Sequence, residues 1–233
     1  MAPRSRPKRD AARPGLWFGR SWRERLAHEY RGLGPRTRWG VWAGATLGAA
    51  VAPVAVLQSG AGSAHGAPVS AVWPALLLSA LGCAVYGGCT VWLTVADARS
   101  RRLPNAIVWL ATAGLVAPLS VASLLWGSPG RLGLAWLSAA GIFALTLSVW
   151  LWTPRLWGAG DVKLSFSVGF LAGWVLPVAS LLLFPLACLL ALLVSGLVAL
   201  ARRQRDFPFG PQLLGAGWMV ALAGPQIWRL IGN

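Results

Sequence analysis

Long apolar runs alternate with short polar segments through most of this chain. A helix needs about 20 mostly apolar residues to cross a bilayer, and seven runs approach or exceed that length. They lie at 40–57, 70–96, 106–126, 132–152, 164–178, 180–200 and 211–231. Residues 164–200 are better divided in two, because a single helix of that length would overreach the bilayer and Gly173, Pro177 and Pro185 offer breaks. The pattern predicts an all-α polytopic membrane protein with about seven transmembrane helices.

Composition agrees with the membrane class. Charged residues make up 12% of the chain, whereas about a quarter is typical of a soluble domain. The net charge of +15 would suggest nucleic acid on a soluble surface, but it is confined to short segments between apolar runs. We therefore expect a lipid bilayer and no nucleic acid as partner. The three cysteines form no C-x-x-C pair, so no metal, cofactor or disulfide framework is expected.

The basic residues predict the orientation of the chain in the membrane. Residues 1–39 carry eleven Lys or Arg residues and are expected to remain as a cytoplasmic arm. With that end inside, the predicted outer loops hold His65 and Arg131. The predicted inner segments hold Arg99, Arg101, Arg102, Arg155, Lys163, Arg202, Arg203 and Arg205. This alternation predicts a first helix and outer loop at 40–69, followed by a membrane domain at 70–233.

Carboxylates are scarce in the predicted membrane region. After Gly40 the chain has three, Asp97, Asp161 and Asp206, and all three fall on the predicted cytoplasmic face. An ionisable side chain in or beside a membrane segment indicates a functional site. Each of the three aspartates also has a purely structural interpretation. Asp97 could be a helix cap or an arginine partner, and Asp161 could be an N-cap in a glycine-rich turn. Asp206 could pair locally with its neighbouring arginines.

The stronger hypothesis takes Asp97 and Asp161 together. Each stands at the cytoplasmic end of a predicted span, so the two can face one another across a helix bundle. Two carboxylates held close together share one proton, and one can act as a base toward water while the other donates to a carbonyl oxygen. Aspartic proteolysis requires such a pair and a cleft. Asp161 also follows Gly158 and Gly160, which allow close approach of a substrate backbone.

Three ordered motifs resemble the type IV prepilin peptidases, membrane aspartic proteases of the Gly-x-Gly-Asp kind. Asp97 with the segment 101–105 (Arg-Arg-Leu-Pro-Asn) resembles the first-aspartate loop of the family, and the segment 158–164 (Gly-Ala-Gly-Asp-Val-Lys-Leu) resembles the second. The segment 207–211 (Phe-Pro-Phe-Gly-Pro) resembles the C-terminal element. The resemblance covers roughly residues 75–231 and implies that Asp97 and Asp161 are catalytic. Supporting motif residues would be Pro104, Asn105, Gly158, Gly160, Lys163, Pro208, Phe209, Gly210 and Pro211.

The resemblance implies an activity and a location. The chain would be a peptidase of the bacterial plasma membrane that removes the basic leader of pilin precursors at the cytoplasmic face, with six spans forming the enzyme core. Its small form resembles the peptidases of Flp or Tad-type pili. The paired C-x-x-C motifs associated with N-methylation in larger members are missing from the sequence, and Leu103 stands where isoleucine is usual.

Three alternatives remain open from the residues alone. The chain could be a catalytically inactive scaffold of a pilus or secretion system, although neither aspartate and neither motif glycine has been lost. It could be a small transporter, although ionisable groups near the midplane and an internal repeat would then be expected. It could also be a protease of the same kind with another membrane protein as substrate.

Overall fold

The structure is a computed structural model that describes residues 30–58, 69–100, 103–152, 158–176, 179–201 and 210–232, together with Glu24 and Ala27. The chain divides into two units, residues 1–33 and 34–233. In the first unit the described positions include one helical turn, in which Arg31 Nε donates to the Ala27 carbonyl at 3.2 Å. The described residues of the second unit form seven helices. They are α1 Pro35–Gln58, α2 Val69–Ser100, α3 Asn105–Leu125, α4 Pro129–Trp152, α5 Ala159–Val175, α6 Ser180–Ala201 and α7 Gly210–Gly232.

The described residues contain helices and no strands, which confirms the all-α class. By length and composition, three of the described helical segments are apolar enough to cross a membrane: Ser70–Arg99 within α2, and the helices α3 and α4. Large apolar side chains face outward on several helices, with Trp39, Leu77, Leu137 and Leu189 all exposed. An apolar outer surface around hydrogen-bonded helices is what lipid requires of a membrane protein.

The connection between α3 and α4 is a tight turn. Gly127 adopts a φ of +66°, a left-handed conformation that glycine tolerates and that commonly ends a helix. Its N–H donates to the Leu124 carbonyl at 3.0 Å, and the Ser128 N–H donates to the Ser123 carbonyl at 2.9 Å. Pro129 then starts α4, where its missing N–H costs nothing. The turn therefore holds α3 and α4 as adjacent antiparallel helices.

Helix α5 lies at the centre of the bundle. It contacts α3, α4, α6 and α7, and most of its residues are buried. The helix ends at Val175, and Leu176 adopts a non-helical backbone with a ψ of 81°. Pro177 follows in the sequence and disfavours helical backbone in the residue before it. Since α6 begins at Ser180, the division of residues 164–200 into two helices is confirmed.

Helices α1 and α2 pack with their backbones in contact. A Cβ added to Gly44 would lie 2.6 Å from the Gly87 carbonyl oxygen, and one added to Gly48 would collide with the Cys83 carbonyl. Larger side chains at these positions would force the two helices apart. The glycines therefore allow the first helix to lie directly against the helix that carries Asp97.

At the end of the bundle away from Asp161, polar groups are closely paired. Arg131 in the first turn of α4 donates from Nε to the Trp174 carbonyl at 3.0 Å and from Nη2 to the Val175 carbonyl at 3.1 Å. The Trp174 indole N–H donates to Ser123 Oγ at 2.9 Å. The two bonds from Arg131 satisfy the carbonyls of Trp174 and Val175, which have no partner within their own helix.

Two helix boundaries beside the aspartates differ from the sequence prediction, and α1 begins at Pro35, inside the predicted arm 1–39. Helix α2 continues through Ser100, so Asp97 lies in its last turn rather than beyond the helix. Arg99 lies in the same turn, where a positive charge interacts favourably with the helix dipole. Helix α5 starts at Ala159, before the predicted apolar run 164–178, so Asp161 lies in its first turn. Asp161 Oδ2 accepts the Gly158 N–H at 3.3 Å, which satisfies one of the free amides at the helix start.

Candidate active site

Four helix ends meet on one side of the bundle: the last turn of α2 and the first turns of α3, α5 and α7. Hydrogen bonds link them in pairs. The Gly210 N–H of α7 donates to Asp97 Oδ2 of α2 at 3.1 Å, and Lys163 Nζ of α5 donates to Asn105 Oδ1 of α3 at 3.1 Å. The three motifs of the sequence therefore converge at one end of the molecule.

Asp97 is a buried carboxylate with 8% of its surface exposed. Its Oδ2 accepts a backbone N–H from the first residue of α7, where the positive end of that helix dipole lies. Both features favour the negative charge that burial disfavours.

Asp161 is equally buried, with 8% exposed, but its surroundings differ. Its Oδ2 accepts the Gly158 N–H, while its Oδ1 is buried and has no hydrogen-bond partner among the residues that the structure describes. Asp161 precedes the apolar run 164–178. Burial, followed by the negative charge of Asp97, raises the pKa of Asp161 from 3.8 to about 6, and the Gly158 bond opposes the rise. Asp161 is therefore suited to hold a proton at mildly acidic pH.

The two carboxylates approach Gly210 on the same side, where a Cβ would stand. A Cβ built on Gly210 would stand 2.9 Å from Asp97 Oδ2 and 3.6 Å from Asp161 Oδ1. The two oxygens are therefore separated by no more than the sum of those distances. A side chain at residue 210 would crowd Asp97 Oδ2, so glycine at this position allows the close approach of the two carboxylates.

The two aspartate motifs also pack against each other. A Cβ on Gly160 would lie 2.9 Å from Leu103 Cβ, so the glycine of the second motif provides the space that Leu103 of the first motif occupies. Lys163 and Asn105 form a second, exposed link between the same two segments. These contacts hold the start of α5 against the start of α3 and so fix the position of Asp161.

The remaining motif residues occupy the same end of the bundle. Gly158 precedes α5 with extended backbone, and Pro104 precedes α3 in the same way. Pro211 is the second residue of α7 and half-buried. Pro208 and Phe209, which the sequence also implicates, lie outside the described residues, as does Asp206. Among the residues described, no three His, Cys, Asp or Glu side chains lie together as a metal site would require.

Two contacts in this site are not predictable from the motifs alone. The sequence identifies Gly210 as a motif residue but gives it no role, and the hydrogen bond to Asp97 joins residues 113 positions apart. Leu103 is noted for its departure from isoleucine, whereas the structure shows that its packing partner is Gly160. No local pattern indicates either contact, because both depend on how separate helices meet.

Comparison with known proteins gives one match. The sequence model of the type IV leader peptidase family matches residues 84–200, half of the chain, and includes Asp97 and Asp161. Gly210 lies beyond the matched segment. No curated protein and no solved structure matches the chain. The match confirms the resemblance drawn from the three motifs, and with the apolar helices it indicates a membrane-associated peptidase. The chain belongs to the type IV leader peptidase family.

Proposed function

We propose that this chain is a membrane aspartic endopeptidase that removes the basic leader from type IV prepilin-like precursors at the cytoplasmic face of the bacterial plasma membrane. The observation that carries the proposal is the juxtaposition of the buried carboxylates of Asp97 and Asp161 around Gly210. Family membership supports a peptidase, and these two groups supply the acid and the base that a peptidase without a covalent nucleophile requires.

The chemistry follows from the pairing of the carboxylates. One group is ionised and removes a proton from the attacking water, while the other is protonated and donates to the carbonyl oxygen of the scissile peptide. The tetrahedral intermediate then collapses as the leaving nitrogen takes up a proton. The unpartnered Asp161 Oδ1 supports this mechanism, because a substrate carbonyl would provide the partner that the described residues do not.

The topology that we propose has seven spans with the N-terminus in the cytoplasm. The basic arm of residues 1–39 and the arginines near the predicted inner ends support this orientation. In this arrangement the segment 40–69 is an additional first helix with its outer loop, and residues 70–233 are the peptidase domain. Asp97, Asp161 and Gly210 then all face the cytoplasm, where the leader of a precursor emerges.

The substrates that we propose are pilin-like precursors of the Flp or Tad type, in which a short basic leader precedes an apolar helix. We propose the peptidase activity alone for this chain. Its three cysteines lie at 83, 89 and 188 and form no C-x-x-C pair, so N-methylation of the new N-terminus is not part of the proposal.

Co-expression of this chain with candidate precursors from the same genome tests the proposal. Loss of the leader is expected as a mobility shift on a gel, confirmed by sequencing of the new N-terminus. The matched control is the Asp161→Asn variant, which keeps the size of the side chain and the Gly158 contact but removes the ionisable group.

Each outcome of that experiment has a defined meaning. Cleavage that is lost in the Asn variant supports an aspartic peptidase and identifies a substrate. Cleavage that persists in the variant would reject the aspartate pair. Intact precursor with both proteins, each shown to be inserted in the membrane, would favour a non-enzymatic scaffold or a different membrane protein as substrate.

A further inference from the structure

The first residue of α7 interacts with both aspartates, although the mechanism above assigns it no role. The Gly210 N–H donates to Asp97 Oδ2 at 3.1 Å, and the side of Gly210 where a Cβ would stand faces Asp97 Oδ2 and Asp161 Oδ1. Gly210 itself is buried. The backbone of α7 therefore contributes directly to the surroundings of the carboxylate pair.

The two carboxylates differ in the donors they receive. Asp97 accepts an N–H from a separate helix at 3.1 Å. Asp161 accepts a longer bond, 3.3 Å, from Gly158 beside it in sequence. Its second oxygen is buried without a donor among the described residues. A hydrogen bond to the charged form of a carboxylate favours that form, whereas burial without a donor favours the neutral form.

We propose that the Gly210 N–H makes Asp97 the ionised member of the pair and leaves the proton on Asp161, so that Gly210 is a positioning residue. The inference deepens the proposed function and rests on it for the roles in catalysis. Asp97 is then the base and Asp161 the acid at the start of each cycle.

The proton transfers balance under this assignment. A water attacks the scissile carbonyl carbon and gives one proton to Asp97, while Asp161 gives its proton to the carbonyl oxygen. When the carbon–nitrogen bond breaks, Asp97 passes its proton to the leaving nitrogen. Asp161 recovers a proton from a hydroxyl of the intermediate as the new carboxyl group forms. The pair returns to its starting state with one peptide bond hydrolysed.

The charge distribution in the described part of the site is consistent with this assignment. The charged groups on the described segments at this end are Arg36 and Arg38 of α1, Arg99 of α2 and Lys163 of α5; Arg38 is half-buried and the other three are exposed. The pKa of Asp161 is raised to about 6, first by burial and then by the negative charge of Asp97.

Infrared spectroscopy of the full-length protein tests the position of the proton without any substrate. Spectra would be recorded for the wild type, Asp97→Asn and Asp161→Asn at a pH between 3.8 and about 6. The protonated-carboxyl band of the pair is expected to vanish in Asp161→Asn. In Asp97→Asn the band is expected to persist and to disappear at a lower pH than in the wild type. The reverse pattern would overturn the inference.

Substitution of Gly210 tests the positioning role by kinetics. In Gly210→Ala the new Cβ stands 2.9 Å from Asp97 Oδ2, so the carboxylate must move away from the N–H. The acidic limb of the pH–rate profile, which reports ionisation of the base, should then move to higher pH by about one unit. A shift of this size corresponds to the loss of one hydrogen bond to a carboxylate. An unmoved acidic limb would reject the role of Gly210.

The same helix provides two control variants. Gly215→Ala adds a Cβ that meets nothing within 4 Å, and Gly217→Ala adds one 2.5 Å from Val168 Cγ1, away from the aspartates. Gly215→Ala should resemble the wild type. Gly217→Ala should disturb the docking of α7 and lower heat stability but leave the acidic limb unmoved. An equal shift of that limb in Gly217→Ala would show that Gly210 acts through helix docking alone, which would overturn the inference.

The two kinds of readout separate this inference from the proposed function. If no precursor is cleaved but the infrared band follows Asp161, the peptidase proposal fails while the proton assignment stands. If cleavage depends on both aspartates but the band follows Asp97, the peptidase proposal stands and the role of Gly210 is rejected.

Discussion

The two ends of helix α5 use polar groups in opposite ways. At its C-terminal end, Arg131 donates to the carbonyls of Trp174 and Val175, and the Trp174 indole is bonded to Ser123. At its N-terminal end, Asp161 is buried beside a second carboxylate, and one of its oxygens has no partner among the described residues. The paired end stabilises the helix, whereas the end with the unpaired oxygen carries a stability cost that is consistent with a functional site.

The largest effect is expected from removing either carboxylate. Asp97→Asn and Asp161→Asn should each lower the rate of leader cleavage by about 10²–10⁴-fold, since each removes a general acid or base. Both variants should insert and fold, because asparagine keeps the shape of the side chain. The measurement is the single-turnover rate in membranes with matched amounts of each variant. A decrease of less than tenfold in either variant would mean that the substituted aspartate is not catalytic.

The pH dependence of cleavage should be the next largest effect. The raised pKa of Asp161, about 6, means that its proton is lost as the pH rises through that value. The cleavage rate should therefore decrease toward tenfold per pH unit above about 6, as measured with detergent-solubilised protein and a precursor peptide. A rate that stays constant from pH 6 to pH 8 would argue against a protonated Asp161 in the active form.

The same shift predicts how pH affects stability. The folded protein binds a proton at Asp161 more tightly than the unfolded chain does. The stabilisation of the folded state by this proton is therefore fully present below pH 3.8 and is lost as the pH rises through about 6. Asp161→Asn should therefore raise the thermal midpoint at pH 8, with a contribution on the order of 3 kcal/mol, and the gain should shrink toward pH 4. A lower midpoint than wild type at pH 8 would contradict this account.

Substitution at the C-terminal end of α5 should lower the thermal stability of the protein and leave the rate of cleavage unchanged. Arg131→Met removes two hydrogen bonds from a charged donor, each contributing about 1.5–3 kcal/mol. The thermal midpoint should decrease by several degrees, while the cleavage rate per folded molecule stays within about twofold of wild type. Arg131→Lys should recover part of the midpoint, since it retains a charged donor. A selective loss of cleavage with an unchanged midpoint would reverse the roles of the two ends.

The smallest effect is expected from the exposed link between Lys163 and Asn105. An exposed interaction of this kind contributes about 0.2–1 kcal/mol, so Lys163→Met should slow cleavage by no more than about fivefold. Asn105→Ala should have a similar effect, and the double variant should be no worse than either single one if the pair acts as a unit. Fully additive losses would show that the two residues act separately.

Much of this architecture can be predicted from the sequence. The seven apolar runs correspond to seven helices, and the division near Pro177 agrees with the gap between α5 and α6. The described residues of the three motifs also come together in space. These features are predictable because apolar periodicity and glycine or proline breaks act locally along the chain.

The rest depends on contacts between helices that are distant in sequence. The early start of α5 is not predictable from two glycines that disfavour helix; it is stabilised by the Gly158 contact and by Leu103 packing on Gly160. Arg131 is predicted only as an outer-loop residue, but it caps the end of a neighbouring helix. The Gly210 bond to Asp97 spans 113 positions, and no local signal indicates it.

The most direct test of the central claim compares both ends of α5 in one experiment. Purified wild type, Asp97→Asn, Asp161→Asn and Arg131→Met would be reconstituted in liposomes with a precursor, and cleavage would be measured per folded molecule at pH 6. The account predicts cleavage by wild type and Arg131→Met and none above background by either Asn variant. Cleavage by an Asn variant at a rate near wild type would contradict the claim that Asp97 and Asp161 form the catalytic pair.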